Sequence, residues 1–207
     1  MKKEYVITIG RQLGSGGRVI GEKLAGQLGI AFYDKELVQI ASQESGLGKE
    51  YFEQTDEKRR YSVFGDLFGL RGTLADEPFS TYYLNNETLF KIQSDVIRKL
   101  AEKGSSLFVG RCADYILNEN PRCLNIFISA DMNDRIKRIA GIQKMPDDKA
   151  RDFIEKTDKK RASYYNYFSN KVWGAAESYH LCINSSILGI DETVKLIRHF
   201  AEKRFNL

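Results

Sequence analysis

Five short apolar runs constrain this chain more than any other feature: Tyr5–Ile9, Ala31–Tyr33, Leu107–Val109, Leu124–Ile128 and His180–Ile183. Most lack polar alternation, so they predict strands covered on both faces. Covering both faces requires helices between the strands, and the intervening segments supply them. Gly17–Leu28 carries Val19, Ile20, Leu24 and Leu28 at helical spacing. Lys35–Ser45 carries Leu37, Val38, Ile40 and Ala41, and Tyr82–Lys103 aligns Leu89, Ile92, Val96, Ile97 and Leu100 before Gly104. Asp131–Ile139, Asp147–Phe168 and Asp191–Arg204 complete the set, the last with Val194, Ile197 and Phe200 inward. This alternation predicts an α/β domain of three layers, with a parallel five-stranded sheet and right-handed crossovers.

The 207 residues fit one domain, 1–207, with 42% hydrophobic and 29% charged residues. A net charge of +4 suits small polyanions. No basic stripe with interleaved aromatics appears, which argues against nucleic acid. Cys112, Cys123 and Cys182 have neither metal-ligand nor redox spacing and read as small buried hydrophobes in a reducing compartment. "MKKEYVITIG" has no signal-peptide apolar region. No run approaches the ~20 apolar residues of a membrane span. A cytoplasmic protein that avoids membranes is expected. Pro78, Pro121 and Pro146 all fall where loops are expected. Between the second and third strands lies an insertion, Gly46–Ser80, mixing charges, glycines and aromatics. It reads equally as a helical decoration, a surface that pairs subunits into a homodimer, or an element that covers substrate.

The stretch from Ile7 to Leu24 reads as a strand, a glycine-rich turn and a helix. Gly10, Gly14, Gly16 and Gly17 permit positive φ and let amides converge on one point. The helix start adds partial positive charge, and the two together suit a nucleotide phosphate. The strict G-x-x-x-x-G-K-[ST] pattern is not met. Gly17 stands at the lysine position, Arg18 follows it, and Val19 replaces the usual hydroxyl. Ser15 is the only hydroxyl within the loop and the candidate metal ligand. Arg18, or Arg11 from the loop's other side, is expected to supply the missing cation through a forked contact.

The segments Gly10–Val38, Leu107–Leu117, Asn125–Ile139 and Asp158–Phe168 together resemble the cytidylate-kinase-like branch of the P-loop nucleoside monophosphate kinases. The resemblance implies a P-loop kinase fold with a monophosphate-binding insertion, here 46–105, and a lid, here 140–162. It implies transfer of the γ-phosphoryl group of ATP, with Mg2+, to a nucleoside monophosphate such as CMP or dCMP, or to a related phosphorylated metabolite. By the same resemblance Gly14, Ser15, Gly16, Gly17, Arg18 and Val19 hold the donor phosphates. Asp34, Arg111, Asp114, Arg138 and Asp158 face the acceptor, and Arg18, Arg111, Arg135 and Arg161 serve catalysis. Cys112 stands where cytidylate kinases carry an aspartate.

The residue chemistry agrees in part. Phosphoryl transfer needs positioned cations around an anionic transition state. Arg18, Arg111, Arg135, Arg138 and Arg161 supply them from separate segments. Arg135 and Arg138 share a helix face, as do Asp158 and Arg161, which also fits plain helix-surface pairing. Asp34 follows a strand end and serves equally as the N-cap of Lys35–Ser45. Tyr164, Tyr165, Tyr167, Phe168 and Trp173 read as helix packing, and His180 and His199 as packing or surface residues. The alternative function is a non-catalytic nucleotide-binding regulator, to which the degraded loop motif points.

Overall fold

The computed structural model describes residues 4–34 and 79–207. In chain order these form β1 (Val6–Arg11), α1 (Gly17–Leu28), β2 (Ala31–Tyr33), α2 (Phe79–Glu102), β3 (Ser106–Val109) and α3 (Ala113–Ile116). Then follow β4 (Cys123–Ser129), α4 (Met132–Gln143), α5 (Asp147–Ser169), a 3-10 turn at Ala176–Ser178, β5 (Leu181–Asn184) and α6 (Ser185–Phe205). The expected helix Lys35–Ser45 and nearly all of the 46–80 insertion lie outside the described residues.

All five strands are parallel, in the order β2-β3-β1-β4-β5. Alternate side chains of the central strands feed two cores, as the pleat requires. Ile7, Ile9, Leu107, Val109, Leu124, Ile126 and Ile128 meet Ile20 and Leu24 of α1 and Val194 and Ile197 of α6. Val6, Phe108 and Cys123 face the other way, onto Val96 and Ile97 of α2 and Ala113 and Ile116 of α3. A third, smaller core of Ile136, Ile139, Ala150 and Ile154 joins α4 to α5. The expected three-layer architecture is therefore present.

Three expectations need correction. β1 runs on past Ile9, so Gly10 and Arg11 are paired with Phe127 and Ile128 of β4. Arg11 is thus a strand-end residue. The last helix starts six residues before the expected Asp191 and is broken at Gly189 (φ 72°, ψ 176°), a backbone conformation open essentially to glycine alone. Cys112 and Cys123 are buried as expected, but Cys182 is exposed on the edge strand β5.

Candidate active site

The glycine loop leaves β1 at Gln12, whose amide donates to the Ile128 carbonyl (3.0 Å). Gly14 (φ 79°) and Gly16 (φ 80°) both lie in the left-handed region. A Cβ on Gly14 would stand 2.9 Å from the Arg135 carbonyl oxygen, so no larger residue fits. Gly16 caps α1 without any side-chain acceptor. The first amides of a twelve-residue helix therefore open onto the loop, a ready anion site.

Ser15 does not serve as the metal ligand expected of it. It is fully buried, and its hydroxyl donates to the Gln12 carbonyl (2.9 Å) to close the turn. Its own carbonyl accepts from the Ser185 hydroxyl (2.7 Å). Val19 is exposed on α1. Among the described residues no three His, Cys, Asp or Glu side chains converge on a metal position. The loop fits a polyphosphate, but its one hydroxyl is turned to the Gln12 carbonyl and away from any Mg2+.

Asp158 and Arg135 come to the loop as a clamp on its backbone. Asp158 Oδ1 accepts from the Leu13 amide (2.8 Å), and Arg135 Nε donates to the Leu13 carbonyl (2.8 Å). Arg135 Nη2 closes the triangle on Asp158 Oδ2. Arg135 is only 4% exposed, and both carboxylate oxygens are engaged. These contacts correct the expectation that Arg135 is catalytic and that Asp158 binds substrate: each is consumed in shaping the loop. Arg138, expected at the acceptor, donates to the Gly14 carbonyl on the same loop.

Arg18 is directed at a protein partner. Its Nε donates to Asp34 Oδ2 (2.8 Å), with the arginine side chain 59% exposed and the carboxylate buried. Asp34 lies at the carboxyl end of β2, where ligands of parallel sheets gather.

The Arg11 guanidinium lies against Gly110, and Arg161 and Arg111 are the cations that repel it. Arg161 Nη1 donates to the Arg11 carbonyl (3.3 Å) and lies 3.8 Å from Asp158. Arg111 Nη1 donates to Gln93 of α2 (3.1 Å). Burial lowers the Arg11 pKa well below the usual range, and repulsion from Arg161 and then Arg111 lowers it further. Burial also brings Arg111 down to about 10, partly opposed by Tyr164, Cys112 and Asp34. Arg111 sits in a run of three left-handed residues, Gly110 (φ 78°), Arg111 (φ 60°) and Cys112 (φ 53°). Such backbone costs about 1–3 kcal/mol per non-glycine residue and clusters at functional sites.

Asp114 lies behind this turn rather than in the open site. It is 7% exposed, and Tyr165 donates its hydroxyl to Oδ2 (2.7 Å). Burial raises the Asp114 pKa, with the Tyr165 hydrogen bond opposing the rise. Its expected contact with substrate is therefore corrected to support from beneath. Around it, Phe90 stacks on Phe168 (4.2 Å between centroids) and Phe127 meets Trp173 edge-on (5.2 Å), the packing role expected of these aromatics. His180 Nδ1 accepts from the Asn125 amide (2.9 Å), a structural role.

Two residues of this region went unread in the sequence. Gln93 is 3% exposed on the apolar stripe of α2, and a lone amide on such a stripe was the available signal. Gln12 braces the loop by accepting from the Ala130 amide through Oε1 (3.2 Å), for which no sequence signal existed. A separate groove between α4 and α5 is lined by Asn133, Ile136, Lys137, Asp147, Asp148 and Arg151, and no loop residue borders it.

A parallel 2-3-1-4-5 sheet with a glycine loop between its central strand and first helix defines the class of P-loop kinase folds. Within that class the chain belongs to the cytidylate kinase-like family, whose profile matches residues 6–187. An uncharacterized protein from Eubacterium ventriosum has a similar structure, with a TM-score of 0.72 at 26% identity over 96% of this chain and 99% of that one. Shikimate kinase from Bacteroides thetaiotaomicron shares the fold (TM-score 0.52, 16% identity, 99% and 100% coverage). So does shikimate kinase from Acinetobacter baumannii, solved in complex with shikimate (TM-score 0.52, 12% identity, 98% and 95% coverage). No curated protein sequence matches the chain. Family membership supports a phosphotransferase and implies ATP, typically with Mg2+. Among the described residues no helix is long and apolar enough to cross a membrane.

Proposed function

We propose that the chain transfers the γ-phosphoryl group of ATP to a small phosphorylated acceptor, with CMP and dCMP the first candidates. The observation that carries this reading is Arg161 bonded to the Arg11 carbonyl beside an uncapped, glycine-lined helix start. A donor triphosphate and an acceptor phosphate repel each other, and buried guanidiniums offset that repulsion where charge builds up. In this reading the amides of Gly16, Gly17 and Arg18 hold the donor phosphates. Arg111 takes the acceptor phosphate, Arg161 the group in transit, and Asp34 the acceptor side of β2. The segment 140–162 is the lid. Dependence on ATP and three free thiols suit a cytoplasmic setting.

A second reading, a nucleotide-binding regulator without turnover, is favoured by Gly17 at the lysine position and by the engaged Ser15 hydroxyl. One experiment separates the two. ADP release is followed with ATP and a panel of nucleoside monophosphates, with shikimate included because a fold relative was solved with it. Turnover with a monophosphate supports the kinase. Thermal stabilisation by ATP with no turnover of any acceptor supports the regulator. Neither response removes both.

A further inference from the structure

The missing lysine at Gly17 is not simply a gap. A Cβ built there would lie 2.6 Å from Cβ and 3.1 Å from Cγ of Arg11. The stem of Arg11 fills the space into which a residue at position 17 would project. On the far side, a Cβ on Gly110 would run into the Arg11 guanidinium itself. Two glycines, one in the phosphate loop and one in the turn after β3, thus leave a channel for one side chain. That channel runs from the loop to Arg111.

The charge state of the channel is equally particular. Arg161 and Arg111 are the cations that act most strongly on Arg11. Asp34 and Asp158 act on it only at a distance, and no carboxylate among the described residues is paired with it. Asp34 receives Arg18, and Asp158 receives Arg135 and Leu13. A half-buried cation between two like charges is unfavourable until an anion joins them. Arg18, the other cation adjoining position 17, is already bonded to Asp34 and mostly exposed.

We propose that Arg11, reaching from the end of β1 between Gly17 and Gly110, replaces the phosphate-loop lysine and grips polyphosphate oxygens between the donor loop and Arg111. This deepens the phosphotransferase reading and rests on its donor site. A forked guanidinium can hold two oxygens at once, where an ammonium acts as a point charge. The structure ties the identity of three positions together: the arginine at 11 requires glycine at both 17 and 110.

The test uses the full chain, with calorimetric titration of ATP and, separately, of pyrophosphate. Arg11→Gln, which keeps the stem, is expected to weaken binding of both by about 10- to 100-fold. Its thermal stability should hold or rise, because a like-charge crowd has been thinned. Arg11→Lys should retain part of the affinity. Gly17→Lys alone should destabilise the fold by collision with Cβ and Cγ of Arg11, whereas the double variant Arg11→Gly with Gly17→Lys, which removes both, should fold and recover affinity relative to Arg11→Gly. Binding by Arg11→Gln within twofold of wild type overturns the assignment, as does failure of the double variant to improve on Arg11→Gly. If wild type binds pyrophosphate but not ATP, the nucleotide reading falls while Arg11 is still judged on pyrophosphate. If it binds neither, both fall.

Discussion

Two groups of arginines lie around the same glycine loop and differ in what faces them. Arg135 and Arg138 are tied to the loop's own carbonyls, and Arg135 also to Asp158. Arg11 is desolvated and repelled by Arg161 and Arg111, and burial lowers the pKa of Arg111 and Arg161 as well. The first group makes the loop what it is in the absence of any ligand. In the second, burial disfavours the charged form, and the polyanion proposed to bind there would offset that. Helical spacing cannot distinguish the two, since Arg135 and Arg138 look as functional in sequence as Arg161 does. The distinction lies in what each guanidinium is bonded to.

The comparison can be broken by exchanging the expected losses. Arg161→Ala should lower kcat for the best monophosphate by about 10³-fold or more, as removal of a transition-state arginine does, while the melting temperature moves little. A large fall in melting temperature with intact turnover would move Arg161 into the clamp group. Asp158→Ala should act the other way. It leaves Arg135 buried without its partner, and urea titration should show a loss of about 3–5 kcal/mol. Unchanged stability would mean that the clamp carries little.

Smaller effects sharpen the picture beneath the Arg111 turn. Tyr165→Phe removes a hydroxyl from a buried carboxylate and should cost about 1.5–3 kcal/mol near neutral pH. The smallest effect is in pH dependence. Burial holds the Asp114 pKa above its ordinary 3.8, so the folded state keeps this proton more firmly than the unfolded chain does. The resulting stabilisation is complete below that ordinary value and is lost as pH rises through the raised one. Tyr165, Lys171, Tyr179 and Cys112 all act on or beside this carboxylate. Asp114→Asn removes the titration, so its stability should fall less than that of wild type as pH rises above the ordinary 3.8. Parallel curves for the two proteins would place the titration elsewhere.

The sheet was legible because parallel strands buried on both faces leave unbroken apolar runs, as at Leu124–Ile128, and every run expected became a strand. The long helices were legible by periodicity. The four-residue α3 was not, since one turn carries no period. The start of α6 was hidden by Gly189, which interrupts the pattern at the point where the backbone departs from helix. The glycine loop announced itself by composition, but the roles of Ser15, Arg135 and Asp158 did not. Those roles depend on which partner each side chain meets, and the partners of Arg135 lie 122 and 23 residues away. Arg11 was visible only as one of two possible cations. Choosing it needed the space that Gly17 and Gly110 leave.

The bond from the Leu13 amide to Asp158 spans 145 residues and carries one last implication. That N–H lies in the loop, yet its acceptor belongs to α5. Deuterium from solvent can replace this hydrogen only when helix and loop have parted, so its uptake at a single backbone position counts the separations of two distant pieces of chain.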